Sequence, residues 1–583
     1  MTDMKHSLIG MSLCASLLIF CGGCSNENEI DNAGEASNNR TVLTIRATAS
    51  NFDNLPAPEK DASLTRTPTE DGLETQFAVG DAIGIFAIKD GAIVDGINNT
   101  KLTYATETDG TGSWSPSTGT TLYWYEGVSY VAYYPYKDGI TIDASKNATE
   151  IIVSLAANSS LQPGTSQATA ADYTACDLMT ASGTPTANAT DPAKKILTLN
   201  FKHQFALLVL KPQVFVACTP PADAGFVYRS TAKSPIMDTK ATSVTLNGVT
   251  ACKMGDGSYR AIVVPNASAA PIAGEYKTSD GKTDDANKTI VYSGNNSTFV
   301  AGNCYTLEVN GPFPGSGSTE RALAPGDFVF HGTSDIEVYP GDGPLTSGKI
   351  PDYSDAVGMV TTCAPERMTD TGCKDESGNE WNHAYVMGLE NAANANSVWG
   401  PQNIDEPKLD NIVRDNGAEN HMIGYTETEL MLAERASKGD FDSYGAFKQL
   451  SDYRSSHSVP SALETKRSPW FIPSCGQWFD VMVNLCGKSP KDDFRNTTGS
   501  YSWVDNSYGI EMWNTINSQL SKVNKPLQKV SSTQVVFWCS SEDKVADGAW
   551  VAMFGRNGAG GVVCGSAYKG DDTNRRVRPF FAF

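Results

Sequence analysis

Phe77-Ala78-Val79-Gly80-Asp81-Ala82-Ile83-Gly84-Ile85-Phe86-Ala87 reads as a turn on Gly80-Asp81 that feeds a strand, because small and β-branched residues follow the turn pair without a break. Upstream, a period-two run begins at Thr41. Leu43, Ile45 and Ala47 share one face and Thr44, Arg46 and Thr48 the other, the pattern of a half-buried strand. A Pro- and charge-rich loop, Leu55 to Glu74, separates the two strands and holds Lys60 and Arg66. Downstream come Tyr104, a Gly/Ser/Pro turn around Trp114, Leu122-Tyr123-Trp124-Tyr125 and Tyr130-Val131-Ala132-Tyr133-Tyr134-Pro135-Tyr136. Alternation puts half of these aromatics into a sandwich core, so they read as packing and not as a sugar platform.

The chain has 583 residues, enough for several domains, with a net charge of -21 and a pI near 4.7. That charge argues against nucleic acid or an anionic membrane surface as partner. Short apolar runs punctuated by Gly, Pro, Ser, Thr and Asn give the composition of a β-rich exported protein. The six histidines are scattered, and no Cys/His cluster has zinc spacing, so neither a metal nor a cofactor is expected. His203 lies in an alternating strand, where a hydrogen-bonded structural role is expected.

Lys5 and His6 precede an apolar run, Leu8 to Phe20, that ends in Cys21-Gly22-Gly23-Cys24. This is an export signal. The box resembles a bacterial lipoprotein signal, with Cys21 where Leu is common, and implies lipidation of Cys24 as the first mature residue. A redox or metal CxxC belongs at a helix start inside a folded domain, whereas this pair closes an apolar leader. Residues 1–23 are thus the signal peptide and 24–40 a polar tether. The lipid is the expected membrane attachment.

The series built on the opening stretch continues through Asp172-Tyr173, Asp177-Leu178-Met179, Ile196 to Phe205 and Phe299 to Val309. In number and order these pieces resemble the fimbrillin family of type V pilins, over roughly Thr41 to Asn310. The resemblance implies a mainly β fold with two tandem transthyretin-like β-sandwiches, 41–186 and 187–310, the boundary lying near Ala181 to Pro192. It also implies assembly by strand exchange with other fimbrial subunits: an arginine-specific protease removes the first strand, here Leu43, Ile45 and Ala47, and a neighbour's strand fills the groove. An open sheet edge is a row of unpaired donors and acceptors, which an added strand satisfies at once. The candidate cleavage sites are Arg40, Arg46 and Arg66. If all three are ordinary surface arginines the lipid stays on, and the protein is an anchor subunit or an independent surface lipoprotein.

Gly311 to Ser318 has linker composition, and 311–320 is read as a linker. Beyond it, 321–583 changes character. Helices are expected over Thr426 to Ala436, from Ser474, with Trp478, Met482 and Leu485 on one face, and around Ile516, Leu520 and Val523. Trp470 to Trp478, Val536 to Glu542, Ala549 to Phe554 and Arg575 to Phe583 resemble the major-paralogous-domain type of extracellular domain, with an α+β, C-type-lectin-like fold. Gln477 stands where Glu is common and Cys539 where Ser is common. The resemblance makes Trp470, Trp538, Trp550 and Ser540-Ser541-Glu542 scaffold, and pairs the last strand back near the start of the domain. Ligand contacts then fall to two loops, Asp492 to Trp513 and Gly555 to Asp572, offering Tyr501, Trp503, Tyr508, Arg556, Asn557, Tyr568, Asp571 and Asp572. A calcium-type sugar site is unsupported, since Trp513-Asn514-Thr515 lacks the last carboxylate.

Local spacing suggests disulfides between Cys363 and Cys373, Cys475 and Cys486, and Cys539 and Cys564, although connectivity is not fixed by sequence. The first reading is a minor, tip-located fimbrial subunit whose lectin-like head binds a glycan or protein on a host or bacterial surface. The alternative is a lipid-anchored outer-membrane binding protein that never polymerises. An enzyme using Cys539 and Cys564 is disfavoured, because no general base sits at recognisable spacing.

Overall fold

The turn on Gly80-Asp81 forms as read. Gly80 takes φ +99°, the Asp81 N–H donates to Ala78 O at 3.0 Å, and Asp81 Oδ2 accepts from the Ala78 N–H at 2.8 Å. The computed structural model describes residues 41–583 apart from 54–68, 72–73, 107–111, 117–119, 189–190, 192–193, 282–287, 413–416, 487–500, 504–505, 528–534 and 557–560. Cys24, Arg40 and Arg66 lie outside the described residues.

The strand expected from Thr41 is β1 (Val42–Ala49). Leu43 and Ile45 are buried, Ala47 is half-buried, and Arg46 and Thr48 are exposed. It is followed by β2 (Ala82–Lys89), β3 (Thr100–Thr106), β4 (Gly112–Ser115), β5 (Ser129–Tyr134), β6 (Met179–Gly183) and β7 (Lys194–His203). Their order in the sheet is β1-β4-β3-β2-β5-β6-β7, and β1 also pairs with β7. The sheet therefore closes on itself, and β1 is the strand that closes it. Its interior is filled by Ile45, Ile85, Trp114, Leu197 and Phe201 among others. Ile45→Ala should cost about 2–4 kcal/mol of stability, since the surrounding strands cannot collapse onto the void; urea unfolding of the full chain checks this.

The second unit is built on β8 (Ala206–Thr219), which leaves β7 after only Gln204-Phe205. The boundary expected at 186/187 falls inside the first sheet, which runs on to His203. The physical reason is that β7 and β8 form one nearly continuous alternating ribbon, each half in a different sheet. The other strands used below are β9 (Val227–Tyr228), β10 (Lys233–Met237), β11 (Tyr259–Val263), β12 (Cys304–Asn310) and β13 (Ser318–Glu320). Along β8 run β11 and then β10 antiparallel, and β12 and then β13 parallel. A separate four-stranded sheet within residues 242–297 packs over it. The two units also share a core, in which Phe86, Val131 and Tyr133 meet Leu207, Val209 and Ile262.

Residues 311–320 are not a free linker. The Gly311 N–H donates to Gln213 O at 2.7 Å and the Gly315 N–H to Phe215 O at 2.9 Å, and β13 continues the ladder. A Cβ on Gly315 would stand 2.3 Å from Val216 Cγ1, so here glycine serves close approach to a strand and not flexibility.

The head contains β14 (Phe328–His331), β15 (Ile336–Tyr339), β16 (Ala356–Thr362), β17 (Tyr385–Gly388), β18 (Val535–Asp543), β19 (Gly548–Arg556), β20 (Gly561–Tyr568) and β21 (Phe580–Ala582). One sheet runs β9-β15-β14-β16-β17-β21, and the other carries β18-β19-β20. The outer strand of the first sheet, β9, comes from the body. The last strand does pair back, as β21 on β17 from Tyr385↔Ala582 to Met387↔Phe580. The expected helices are α1 (Gly424–Lys438), α3 (Cys475–Asp480), which continues as a π-turn over Val481–Leu485, and α4 (Asn506–Ser521), and a further helix, α2 (Gly445–Ser456), lies between the first two. Gln477 performs the task of the more common Glu: its Oε1 accepts from the Ser474 N–H at 2.9 Å, closing a capping box.

No disulfide joins the expected pairs in the structure, where Cys363, Cys373, Cys475, Cys486, Cys539 and Cys564 all stand as thiols. Cys475 and Cys486 flank a single helical segment, roughly 15 Å apart at helical rise, beyond any disulfide. Cys373 is buried in one head core, whereas Cys363 packs on the other and donates to Leu323 O. Cys539 and Cys564 do lie side by side, and burial pushes the Cys539 thiol well up.

Candidate functional site: the closing strand and the head

Backbone bonds hold β1 along its whole length on one side. It runs parallel to β7 from Val42↔Lys194 to Ala49↔Phe201. On the other side it meets β4 only at Ile45↔Trp114, with Leu43 N–H donating to Leu122 O at 2.9 Å nearby. This asymmetry follows from sequence, because the Gly- and Ser-rich β4 is too short to flank an eight-residue strand. Arg46 sits at the middle of β1 on its outer face, beside Thr198 of β7.

Past Ala49 the chain is pinned. Phe52 stacks on the His203 ring at 3.7 Å and 19°. The imidazole joins Asp177 Oδ1 through Nδ1 and Ser50 O through Nε2, both at 2.8 Å. Asp53 then bridges the start of β12: its N–H donates to Gly302 O, and Cys304 N–H donates to Asp53 O, each at 2.7 Å. The line of β1 is thus continued by β12, and together they flank β7 and β8. The hydrogen-bonded structural role expected of His203 is its actual one, and its position makes it the clasp at the end of the closing strand.

Few of the head's expected ligand residues come together. Tyr568 is 61% exposed. Asp571 Oδ1 accepts from the Thr573 N–H at 2.9 Å and from its hydroxyl at 2.5 Å, and its other oxygen pairs with Arg575; Asp572 is exposed beside it. The side chains of Tyr501, Trp503, Tyr508 and Arg556, and the whole of Asn557, lie outside the described residues. Among the described residues no group of three His, Cys, Asp or Glu could hold a metal ion.

Sequence reasoning missed the buried charges behind these loops. Glu427 of α1 accepts from Ser540 Oγ at 2.6 Å and Ser541 Oγ at 3.2 Å, and its Oε1 meets His421 Nε2 at 2.7 Å. Glu542 pairs with Lys569, both almost fully buried. Glu406 takes Arg435 at 3.1 Å and the Tyr444 hydroxyl at 2.5 Å. The signal was present in Ser540-Ser541-Glu542, a polar triplet inside an apolar strand, which must find buried partners. Burial pulls the His421 pKa down, but Glu427 and nearby carboxylates outweigh it, and the net shift is upward. Such a group contributes stability fully below its ordinary value near 6.5 and loses it as pH rises through the folded value. His421→Gln should therefore lower the unfolding free energy more at about pH 6 than at about pH 8; urea titrations at both values check it.

Residues 65–312 match the family model described as fimbrillin-like. Over 92% of its length the chain is 26% identical to the "Putative fimbrium tip subunit Fim1C" of Bacteroides ovatus, of which 93% is covered. Among solved structures, a fimbrial protein from Bacteroides ovatus matches 94% of this chain and 99% of its own, at 19% identity and a TM-score of 0.30. A structure described as that of a "putative cell adhesion protein" from Bacteroides uniformis matches 52% of this chain and 97% of its own, at 17% identity and a TM-score of 0.27.

Proposed function

Residues 65–312 being fimbrillin-like, we propose that this protein is a tip subunit of a fimbrium, docking by strand exchange and presenting a lectin-like adhesive head at the cell surface. In this reading the two body units are transthyretin-like, the head is C-type-lectin-like, and the precursor is carried out on a lipid at Cys24. The observation that supports it most is β1, a single strand closing the front sheet. Removal of β1 exposes the edge of β7 and opens a groove lined by the neighbours of Leu43 and Ile45, which a neighbouring subunit's strand can refill. At the far end, the chain after β12 is laid along β8 and enters the head, so these residues are not offered as a donor strand. A subunit that accepts a strand and gives none belongs at an end of the assembly. The relative named "Putative fimbrium tip subunit Fim1C" supports this reading.

A second reading is favoured by the His203 clasp, which resists release of β1: a lipid-anchored surface protein that never polymerises. Treating the purified precursor with an arginine-specific protease separates the two. The expected result is loss of β1 by mass, together with new, saturable binding of a partner subunit. A product that keeps its leading strand, or loses it and binds nothing, rejects the fimbrial reading.

A further inference from the structure

Where the body meets the head, a crevice of about 490 Å³ opens between the Gly225-Phe226 turn and the head surface. This is within the size range of small-ligand sites. One wall depends on glycine. Gly225 has φ +71°, and a Cβ there would stand 2.3 Å from His383 Cδ2, so only glycine lets the turn settle against that imidazole. Phe226 beside it is buried and meets the Phe583 ring edge-on at 6.4 Å.

The polar lining is acceptor-rich and nearly balanced in charge. Lys466 is paired with Asp335. Burial holds the His383 imidazole below its ordinary pKa, so it is neutral at pH 7 and able to donate or accept. At the rim, Asn379 and Glu380 are exposed. Asn382 donates to Glu380 Oε2 at 3.0 Å, which leaves Oε1 open to a hydroxyl. The Asn379 amide is engaged, donating to Asp375 Oδ2 at 2.7 Å, so the open Glu380 oxygen is what meets a sugar hydroxyl, while the half-buried His383 ring suits the C–H face of a pyranose. The Glu380 carboxylate and the chain's charge of -21 repel phosphate, sulfate and acidic sugars.

We propose that this seam crevice binds a neutral saccharide, and that the site needs both body and head to exist. The assignment rests on the adhesive reading of the head and gives it a ligand class and an address.

The test is saturation-transfer NMR and calorimetry on the full chain, with lactose, cellobiose, mannobiose and sialyllactose as probes. At least one neutral sugar should bind saturably and sialyllactose more weakly than lactose. Glu380→Gln, at an exposed position, should weaken binding about tenfold without moving the melting temperature. If no neutral sugar binds, or sialyllactose binds best, the saccharide assignment is overturned. If a neutral sugar binds and the Glu380→Gln variant is unaffected, the site lies elsewhere, and the crevice falls while adhesion stands. Docking of the protease-cut subunit should be unchanged in the same variant. Sugar binding without docking sinks the fimbrial reading and spares the crevice.

Discussion

A head produced alone from Thr319 should melt roughly 10–20 °C below the full chain, or aggregate. It lacks three things that the body supplies. β9 covers the edge of β15 through Val227↔Glu337 and Tyr228↔Val338, and an uncovered edge invites pairing with other chains. Phe226 and Ala232 are buried within the head's cores, and Phe226 alone is worth about 1.5–3 kcal/mol. Arg229 lies over the Phe330 ring at 4.2 Å and holds Asp355 through both carboxylate oxygens at 3.0 and 3.2 Å. Together these come to about 4–6 kcal/mol, and a domain of this size moves about 2–4 °C per kcal/mol. Scanning calorimetry decides it. A head that melts with the full chain would show that the seam contributes nothing.

Lys569→Met should destabilise the full chain by about 3–5 kcal/mol, the largest single-residue effect expected here. Lys569 and Glu542 are 1% and 0% exposed, and the lysine also donates to Ile404 O at 2.5 Å while lying over the Trp399 ring at 4.9 Å. Burial already raises the Glu542 pKa, and Lys569 opposes that rise. Without the ammonium, the carboxylate keeps only the Glu406 N–H, at 3.2 Å from each oxygen, and must either stay charged in an apolar site or take up a proton. Lys569→Met with Glu542→Gln removes both charges and should recover a large part of the loss. Equal destabilisation of the single and double variants in urea would show that shape, and not charge, governs the site.

Much of the front half was legible because its signals are local. The Gly80-Asp81 turn, the alternation of β1 and the packing of Tyr130, Tyr133 and Tyr134 need only near neighbours to be read. The capping at Ser474 was legible for the same reason. What was missed is what distance in sequence conceals. The β7–β8 ribbon passes between two sheets without a composition break, so composition puts the boundary before β7. Gly311 to Ser318 looks like a spacer because glycine supplies slack and close approach equally well. Cysteine spacing along the chain said nothing of spacing in space, as Cys475 and Cys486 show. β9 is two residues long and pairs with a strand 110 residues onward, too short for any periodicity to reveal. The seam crevice inherits that blindness, since its walls come from segments no local pattern connects.

The continuity of β7 and β8, with the head tied back onto β8 through β13 and onto β9 through β15, has a mechanical consequence. Tension applied to the head does not reach a swivel. It enters the body through parallel ladders loaded in shear, where several hydrogen bonds must fail together, and passes down one uninterrupted backbone to the strand beside β1. Such an arrangement behaves as a stiff lever, and the joint next to β1 becomes the place where the load is finally borne.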